Sequence, residues 1–222
     1  QSIGVVSSSI NRFVNSHVHI SKLYDLMKNR NIVNKNNFIL SEEESELALK
    51  VDNLTFRYFN SEINIFKNLS FSIKSNSHTI LTGANGSGKS TLLGLIAGVY
   101  YAQEGTVKSY KKNFGYIGAT PLIFSGTLKE NILYGNDADV NDEDILKSLR
   151  EFDTFKEKQS YDLYRLIDNK SLSSGQMQKI AFIRALLADV NILLLDESTA
   201  NLDDKSRDFI FELLKNRNIT IV

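Results

Sequence analysis

The spacing of hydrophobic residues changes near Leu47, and this change divides the chain into two parts. In residues 1–28 the apolar side chains recur close to the helical period. This pattern fits either an amphipathic helix packed on the domain or the cytoplasmic end of a helix that leaves a membrane. Residues 29–46 are polar, with an acidic run at Glu42–Glu44, and we interpret them as a linker.

Beyond Leu47 the pattern predicts strands that alternate with helices. Apolar runs predict strands at 47–58, 64–73, 79–82, 105–109, 113–118, 192–195 and 218–222. Helices are predicted in a segment that starts at Lys89, through most of 127–187, and at 203–215. Such alternation is typical of an α/β fold with a largely parallel sheet.

The composition is that of an ordinary globular protein, and it excludes several kinds of site. The 222 residues include 26 Lys+Arg and 26 Asp+Glu. This zero net charge argues against a protein whose main role is to bind nucleic acid. The sequence has no cysteine, which excludes disulfides, thiol catalysis and zinc–thiolate sites. No apolar run approaches the ~20 residues of a membrane-spanning helix.

A glycine-rich segment, Gly83–Ser90, carries the strongest chemical signal. It matches the pattern G-x-x-x-x-G-K-[ST], with a predicted strand before it and a predicted helix after it. Its glycines let backbone N–H groups surround phosphate oxygens, and the helix N-terminus faces the same anion. Lys89 adds a positive charge for the β- and γ-phosphates, and the Ser90 hydroxyl can reach Mg²⁺.

Two carboxylates, Asp196 and Glu197, directly follow the apolar run 192–195. Ligands bind at the carboxyl ends of strands in an open parallel sheet. Asp196 would then hold Mg²⁺, directly or through water, and Glu197 would orient or deprotonate an attacking water. Taken alone, the pair fits an acidic turn after a core strand equally well.

The segment Leu172–Gln176, with the sequence Leu-Ser-Ser-Gly-Gln, precedes another predicted helix. Its serines and the first N–H groups of the helix form either a second anion-binding site or an ordinary serine cap. The residues by themselves leave both interpretations open.

In this order and spacing, the three segments resemble the nucleotide-binding domain of ABC transporters over residues 47–222, with Leu172–Gln176 similar to the LSGGQ signature. The resemblance implies a P-loop ATPase core with a mainly parallel sheet, an antiparallel β subdomain and a helical subdomain at about 120–187. It also implies that the domain is incomplete at its C-terminus. Phe124–Ile132 closely resembles exporter-type members, and residues 1–46 would be a helix leaving a membrane domain plus a linker.

The resemblance assigns a role to each matching position. Glu197 and Lys89 would be catalytic, Ser90 and Asp196 would hold Mg²⁺, and Tyr58 would stack on adenine. The positions expected to contact ATP are Tyr58, Gly83, Asn85, Gly86, Ser87, Gly88, Lys89, Ser90, Thr91, Ser173, Gly175 and Gln176. The last three would face the γ-phosphate held by a second copy, and the loop 198–203 would face the same partner.

The implied function is ATP hydrolysis, with ATP and Mg²⁺, in which dimerisation drives export across a membrane. The implied partners are a second nucleotide-binding domain in a homodimer and a transmembrane domain on the same polypeptide, without nucleic acid. The implied location is the cytoplasmic face of the inner membrane, as part of an integral membrane protein. Two alternatives are a soluble ABC-type ATPase acting on nucleic acid or ribosomes, and an ATP-binding module with little hydrolysis.

The sequence departs from the family pattern at four places. The family's glutamine two positions before Pro121 is Ala119, which cannot coordinate a metal. Ser174 replaces the first glycine of the signature, and the glycine-rich stretch of exporters is not recognisable in 166–171. The family's histidine after the last core strand would fall past Val222. The first and last of these departures motivate the weakly hydrolysing alternative.

Overall fold

A computed structural model describes residues 37–136, 139–155 and 161–222 of the chain. The strands are β1 (Phe38–Leu40), β2 (Leu47–Phe56), β3 (Phe66–Lys74), β4 (Glu104–Ser109), β5 (Phe114–Ile117), β6 (Gly126–Thr127), β7 (Leu166–Ile167), β8 (Ile192–Leu195) and β9 (Thr220–Ile221). The helices are α1 (Lys89–Ile96), α2 (Leu128–Leu133), α3 (Asp142–Glu151), α4 (Ser174–Leu187) and α5 (Asp204–Lys215). The helix predicted at 1–28 lies outside the described residues.

A parallel sheet with the strand order β5-β8-β9 forms the centre of the fold. Alternate residues of β8 point to opposite faces, because side chains alternate along a strand. Leu193 packs in the core that includes α4, whereas Ile192 and Leu194 pack in the core that includes α1. The continuous apolar sequence of β8 therefore follows from burial on both faces.

A second sheet, in the order β1-β4-β2-β3, covers the α1 side of the molecule. The strands β2, β3 and β4 pair antiparallel, and β1 pairs parallel to β4. The strand β1 lies within residues 29–46, the segment interpreted from the sequence as a linker. Its Phe38 pairs with Val107 of β4. The mainly antiparallel β subdomain and the parallel core together confirm the predicted fold class.

In the described part of the segment 127–187, the structure has the helices α2, α3 and α4, and β7 pairs antiparallel with β6. The prediction that this segment is mostly helical therefore holds for these three helices but not for residues 161–173, which form turns, loops and β7. The side-chain amide of Asn131 is buried, and its Nδ2 donates to the carbonyls of Phe124 and Thr127 at 3.0 and 3.1 Å. These bonds attach α2 to the residues that precede it. Among the described residues, no helix is long and apolar enough to cross a membrane.

The buried strand predicted at 79–82 is wrong in the structure. His78 forms an isolated parallel bridge with Ile221, and Ile80 is 84% exposed. The N–H of Thr79 donates to the carbonyl of Ile221, and the N–H of Ile221 donates to the carbonyl of Ser77, so the backbone bonds to β9 lie at the start of this segment. A short apolar run becomes a strand only where a neighbour completes its hydrogen bonds.

Candidate nucleotide-binding site

The glycine-rich loop owes its shape to two glycines. Gly86 and Gly88 have φ angles of 80° and 95°, in the left-handed region that favours glycine. A Cβ at Gly88 would also lie 2.7 Å from Ile65 Cγ2 and 2.9 Å from Phe66 Cζ. The helix α1 then begins at Lys89 without a side-chain cap, so its first N–H groups are open to an anion.

The Lys89 ammonium folds back over the loop. Its Nζ donates to the carbonyl oxygens of Gly83 and Ala84 at 3.0 and 3.1 Å. Both acceptors are neutral, and a phosphate oxygen is a stronger acceptor for an ammonium group. The positive charge of Lys89 is therefore available to a phosphate bound in the loop.

Ser90 and Asp196 lie far apart in the sequence but touch in the fold. The Ser90 hydroxyl donates to Asp196 Oδ1 at 3.0 Å, because α1 begins beside the carboxyl end of β8. Hydroxyl and carboxylate oxygens are the ligands that Mg²⁺ prefers. Among the residues that the structure describes, no three His, Cys, Asp or Glu side chains form a metal cluster. This donor pair fits an ion that takes most of its ligands from phosphate and water.

Glu197 is exposed and has an unusual backbone conformation. Its φ is 51°, whereas the other non-glycine residues with positive φ in the described part of the chain are all Asn or Asp. A glutamate gains no local hydrogen bond that would favour the left-handed region, so this position is strained. Lys89, Asp196 and Glu197 also border a cavity of about 400 Å³, whose other lining residues are mostly apolar and include none of residues 83–88.

Tyr58 is connected to the start of α1. Its hydroxyl lies 2.6 Å from Thr91 Oγ1, and its ring meets those of Phe56 and Tyr100 edge to face. The Tyr58 side chain remains 42% exposed beside a cavity of about 620 Å³. Part of the ring is thus open to a planar ligand next to the phosphate loop.

The segment Leu172–Gln176 caps α4. Ser173 Oγ accepts from the N–H of Gln176 at 3.2 Å, and Gln176 Oε1 accepts from the N–H of Ser173 at 2.9 Å. This reciprocal pair is a capping box, so Ser173 serves as the N-cap of α4 and Ser174 is the first residue of the helix. Ser173, Gly175 and Gln176 line a cavity of about 870 Å³ that remains open to a ligand or a partner.

The structure places the predicted site residues beside three separate cavities. Lys89, Asp196 and Glu197 border one, Ser173 and Gln176 line another, and Tyr58 lines a third. No residue of the glycine-rich loop lines the second cavity. Within one copy of the described domain, the start of α4 and the phosphate loop therefore do not share a cavity.

Sequence reasoning missed the contact made by Tyr116. Its hydroxyl donates to Asp196 Oδ2 at 2.8 Å. Partial burial, together with the neighbouring Asp196 carboxylate, raises the pKa of Tyr116 to about 12. The sequence did offer a clue, because it predicts parallel strands at 113–118 and 192–195. Tyr116 lies near the end of the first strand and Asp196 directly follows the second, so two adjacent strands would bring these residues together.

The loop after β5 is attached through its backbone. Asn201 Nδ2 donates to the carbonyl of Ala119, and Gln178 Nε2 donates to the carbonyl of Gly118, both at 3.2 Å. The loop containing Ala119 is thus linked to the loop that follows Glu197 and to α4. Neither link was visible from the sequence, because both connect residues at least 60 positions apart.

A phosphate loop beside the acidic end of a strand in a parallel sheet defines a P-loop nucleotide-binding protein. The family described as ABC transporter matches residues 66–200, more than half of the chain. The chain therefore belongs to the ABC transporter family, whose ATP-binding domains are ATPases. The family expected from the sequence is confirmed.

Two known relatives illustrate the similarity. "ATP-dependent permease MDL1" of Candida albicans is 35% identical over 184 residues, which cover 72% of this chain and 26% of the relative. "ATP-binding cassette sub-family B member 5" of Homo sapiens is 33% identical over 191 residues, which cover 76% of this chain and 15% of the relative. The chain thus spans about a quarter or less of the length of these relatives.

A solved structure shows the same fold. The structure of a bacterial Atm1-family ABC exporter with ATP bound superimposes with a TM-score of 0.72 at 22% sequence identity. The match covers 93% of this chain and 40% of the exporter chain. At this identity the likeness supports the arrangement of strands and helices, not the role of any side chain.

Proposed function

We propose that this chain is the ATP-hydrolysing domain of a membrane exporter, and that ATP-driven pairing of two such domains powers transport. The observation that carries the proposal is the Ser90–Asp196 hydrogen bond of 3.0 Å. It joins a phosphate loop to an acidic strand end, and nucleotide hydrolysis needs both. The relative named "ATP-dependent permease MDL1" supports a role in transport.

In the proposed binding mode, the different parts of ATP contact different groups of the chain. The exposed part of the Tyr58 ring stacks on adenine, and the N–H groups of the loop 83–90 surround the phosphates. Lys89 exchanges the carbonyls of Gly83 and Ala84 for β- and γ-phosphate oxygens, because the charged acceptor is stronger. Ser90 and Asp196 would hold Mg²⁺, which neutralises phosphate charge when bound.

Hydrolysis is assigned to Glu197. Glu197 is exposed and directly follows Asp196 at the acidic end of β8. From there it would orient or deprotonate a water that attacks the γ-phosphate. The strained backbone at Glu197 is consistent with a residue held in place for function.

The start of α4 supports pairing of two copies. Ser173, Gly175 and Gln176 lie at the N-terminus of α4, away from the phosphate loop of their own chain. In a two-fold pair, each α4 N-terminus would face the γ-phosphate held by the other copy. We propose a homodimer, a transmembrane domain on the same polypeptide, and a position on the cytoplasmic face of the membrane.

The proposal is tested with Glu197→Gln. We expect ATP binding to be retained, turnover to fall at least ~100-fold, and ATP to hold the variant as a dimer in size-exclusion chromatography, because only the proton-accepting group is removed. Glu212→Gln serves as the matched control, since Glu212 lies on α5 and pairs with Lys215. Undiminished turnover in Glu197→Gln would refute the role of Glu197.

A further inference from the structure

The side chain of Tyr116 reaches the proposed metal site from the neighbouring strand. In the β5–β8 ladder Tyr116 pairs with Leu194, and parallel partners point to the same face of a sheet. Asp196 lies two residues beyond Leu194 and thus shares that face. The tyrosine is placed there by the strand register and not by a flexible loop.

The loop after β5 leaves space for the ring. A Cβ at Gly118 would lie 3.3 Å from Tyr116 Cε1, which is closer than ordinary van der Waals contact. The glycine thus lets the aromatic ring lie along the start of the loop toward Asp196. Ala119, the next residue, carries no polar side-chain group, so its side chain cannot form a hydrogen bond with the site.

The Asp196 carboxylate is held at both oxygens. Oδ1 accepts from the Ser90 hydroxyl at 3.0 Å, and Oδ2 accepts from the Tyr116 hydroxyl at 2.8 Å. Hydrogen bonds to a carboxylate are strong and directional, and two donors on two oxygens fix the plane of the group. Removal of the phenol would free that plane to rotate.

We propose that Tyr116 is a positioning residue that holds Asp196 in the orientation needed to bind the Mg²⁺ of a bound nucleotide. It acts through Asp196 and touches neither the nucleotide nor the reacting water. The inference rests on the proposed ATPase function, since it assumes that Asp196 is a metal ligand.

The test measures Mg²⁺ affinity directly. With the full 222-residue chain, the fluorescence of N-methylanthraniloyl-ATP first gives the affinity for nucleotide in EDTA. Titration with Mg²⁺ then gives the Mg²⁺ concentration at which the fluorescence change is half-maximal. In Tyr116→Phe we expect this concentration to rise about tenfold, as is typical when a residue that orients a metal ligand is lost. Nucleotide affinity in EDTA is expected to stay within about twofold of the wild type, because the phosphate loop is untouched.

The matched control is Tyr164→Phe. The Tyr164 hydroxyl also donates to a carboxylate, Asp142 Oδ2 at 3.0 Å, but outside the nucleotide site. This variant makes the same chemical change and is expected to leave the Mg²⁺ requirement unchanged. A shift of equal size in Tyr164→Phe would overturn the inference.

Asp196→Asn separates the inference from the proposed function. If Asp196→Asn raises the Mg²⁺ requirement and Tyr116→Phe does not, the inference is overturned and the metal site stands. If neither variant changes it, the metal site is overturned together with the inference. Should Tyr116→Phe fail to fold, Gly118→Ala crowds the ring instead, and an unchanged Mg²⁺ requirement there overturns the inference.

Discussion

Single side chains at the phosphate loop are held by weak partners that a nucleotide can replace. Lys89 donates to two neutral carbonyls, and the Tyr58 hydroxyl shares a hydrogen bond with Thr91. Neither side chain is committed to an ion pair among the contacts of the described residues. Exchange of these contacts for those of ATP therefore costs little at the residue scale.

The Tyr58 ring, not its hydroxyl, is expected to carry adenine binding. Tyr58→Phe keeps the ring and should hold ATP affinity within about threefold, whereas Tyr58→Ala should weaken it about tenfold, since stacking of a base on an aromatic ring contributes ~1–3 kcal/mol. Equilibrium titration with a fluorescent ATP analogue measures both. Tyr164→Ala, at an exposed tyrosine away from the site, is the control.

Equal losses in Tyr58→Phe and Tyr58→Ala would contradict the stacking role. That result would assign the affinity to the hydrogen bond with Thr91, which both variants lose.

At the scale of elements, two helices begin with the same device. Thr127 and Glu130 form a capping box at α2, and Ser173 and Gln176 form one at α4. Each satisfies two backbone N–H groups that a helix start leaves without partners. The shared geometry shows that the cap by itself does not reveal an anion site at α4.

Alanine at the two caps separates stability from function. Ser173→Ala and Thr127→Ala should each lower the free energy of unfolding by about 1 kcal/mol, because each removes an N-cap acceptor. Only Ser173→Ala should also lower ATP-dependent dimerisation and turnover, since Ser173 lines the cavity proposed to meet a second copy. Denaturant unfolding and ATPase assays of both variants make the comparison.

The two cap variants also define the result that would contradict a functional role of Ser173. If both variants keep wild-type turnover once their stability loss is taken into account, Ser173 is a helix cap and nothing more.

Elements also differ in how far their own sequence defines them. The strand predicted at 192–195 has the same bounds in the structure, because Ile192, Leu193 and Leu194 are buried in two cores and Leu195 is partly buried. The helix predicted at 203–215 begins one residue later, since Asp203 serves as its N-cap. The segment 79–82, with two threonines among its four residues, fails to form a strand, because hydrogen bonding there depends on another part of the chain.

At the scale of the whole molecule, acidic side chains stabilise the fold in their ionised form. Backbone N–H groups of Ser171 and Ser206 lower the pKa of Asp168 and Asp203, and Lys129 lowers the pKa of Asp142. At a pH near the ordinary values the folded state therefore binds fewer protons than the unfolded state, so stability rises with pH.

The predicted pH dependence follows from that sign. The stability contributed by these carboxylates should be fully present above the ordinary aspartate pKa of 3.8. It should be lost as the pH falls through the lowered pKa values of the folded state. Urea unfolding between about pH 7 and pH 3 measures it. Asp203→Asn keeps an N-cap acceptor but does not titrate, and should make the acid loss less steep.

A free energy of unfolding that stays constant down to about pH 3, or that rises on acidification, would contradict this prediction.

Several features were determined by the sequence alone, because they depend on neighbouring residues or on spacing. The loop Gly83–Ser90 needs glycine at φ angles that other residues avoid, and its pattern is local. The run 192–195 and the pair Asp196–Glu197 gave the strand and its acidic end. The family assignment followed from the order of these segments.

Other features were decided only by the tertiary structure, because they require contact between distant segments. Ser90 meets Asp196 across 106 positions, and Tyr116 meets it across 80. The separation of the α4 cap from the phosphate loop depends on how the helical segment packs on the parallel sheet. No periodicity in the sequence encodes such distances, since they arise when strand register and core packing bring the ends of separate elements together.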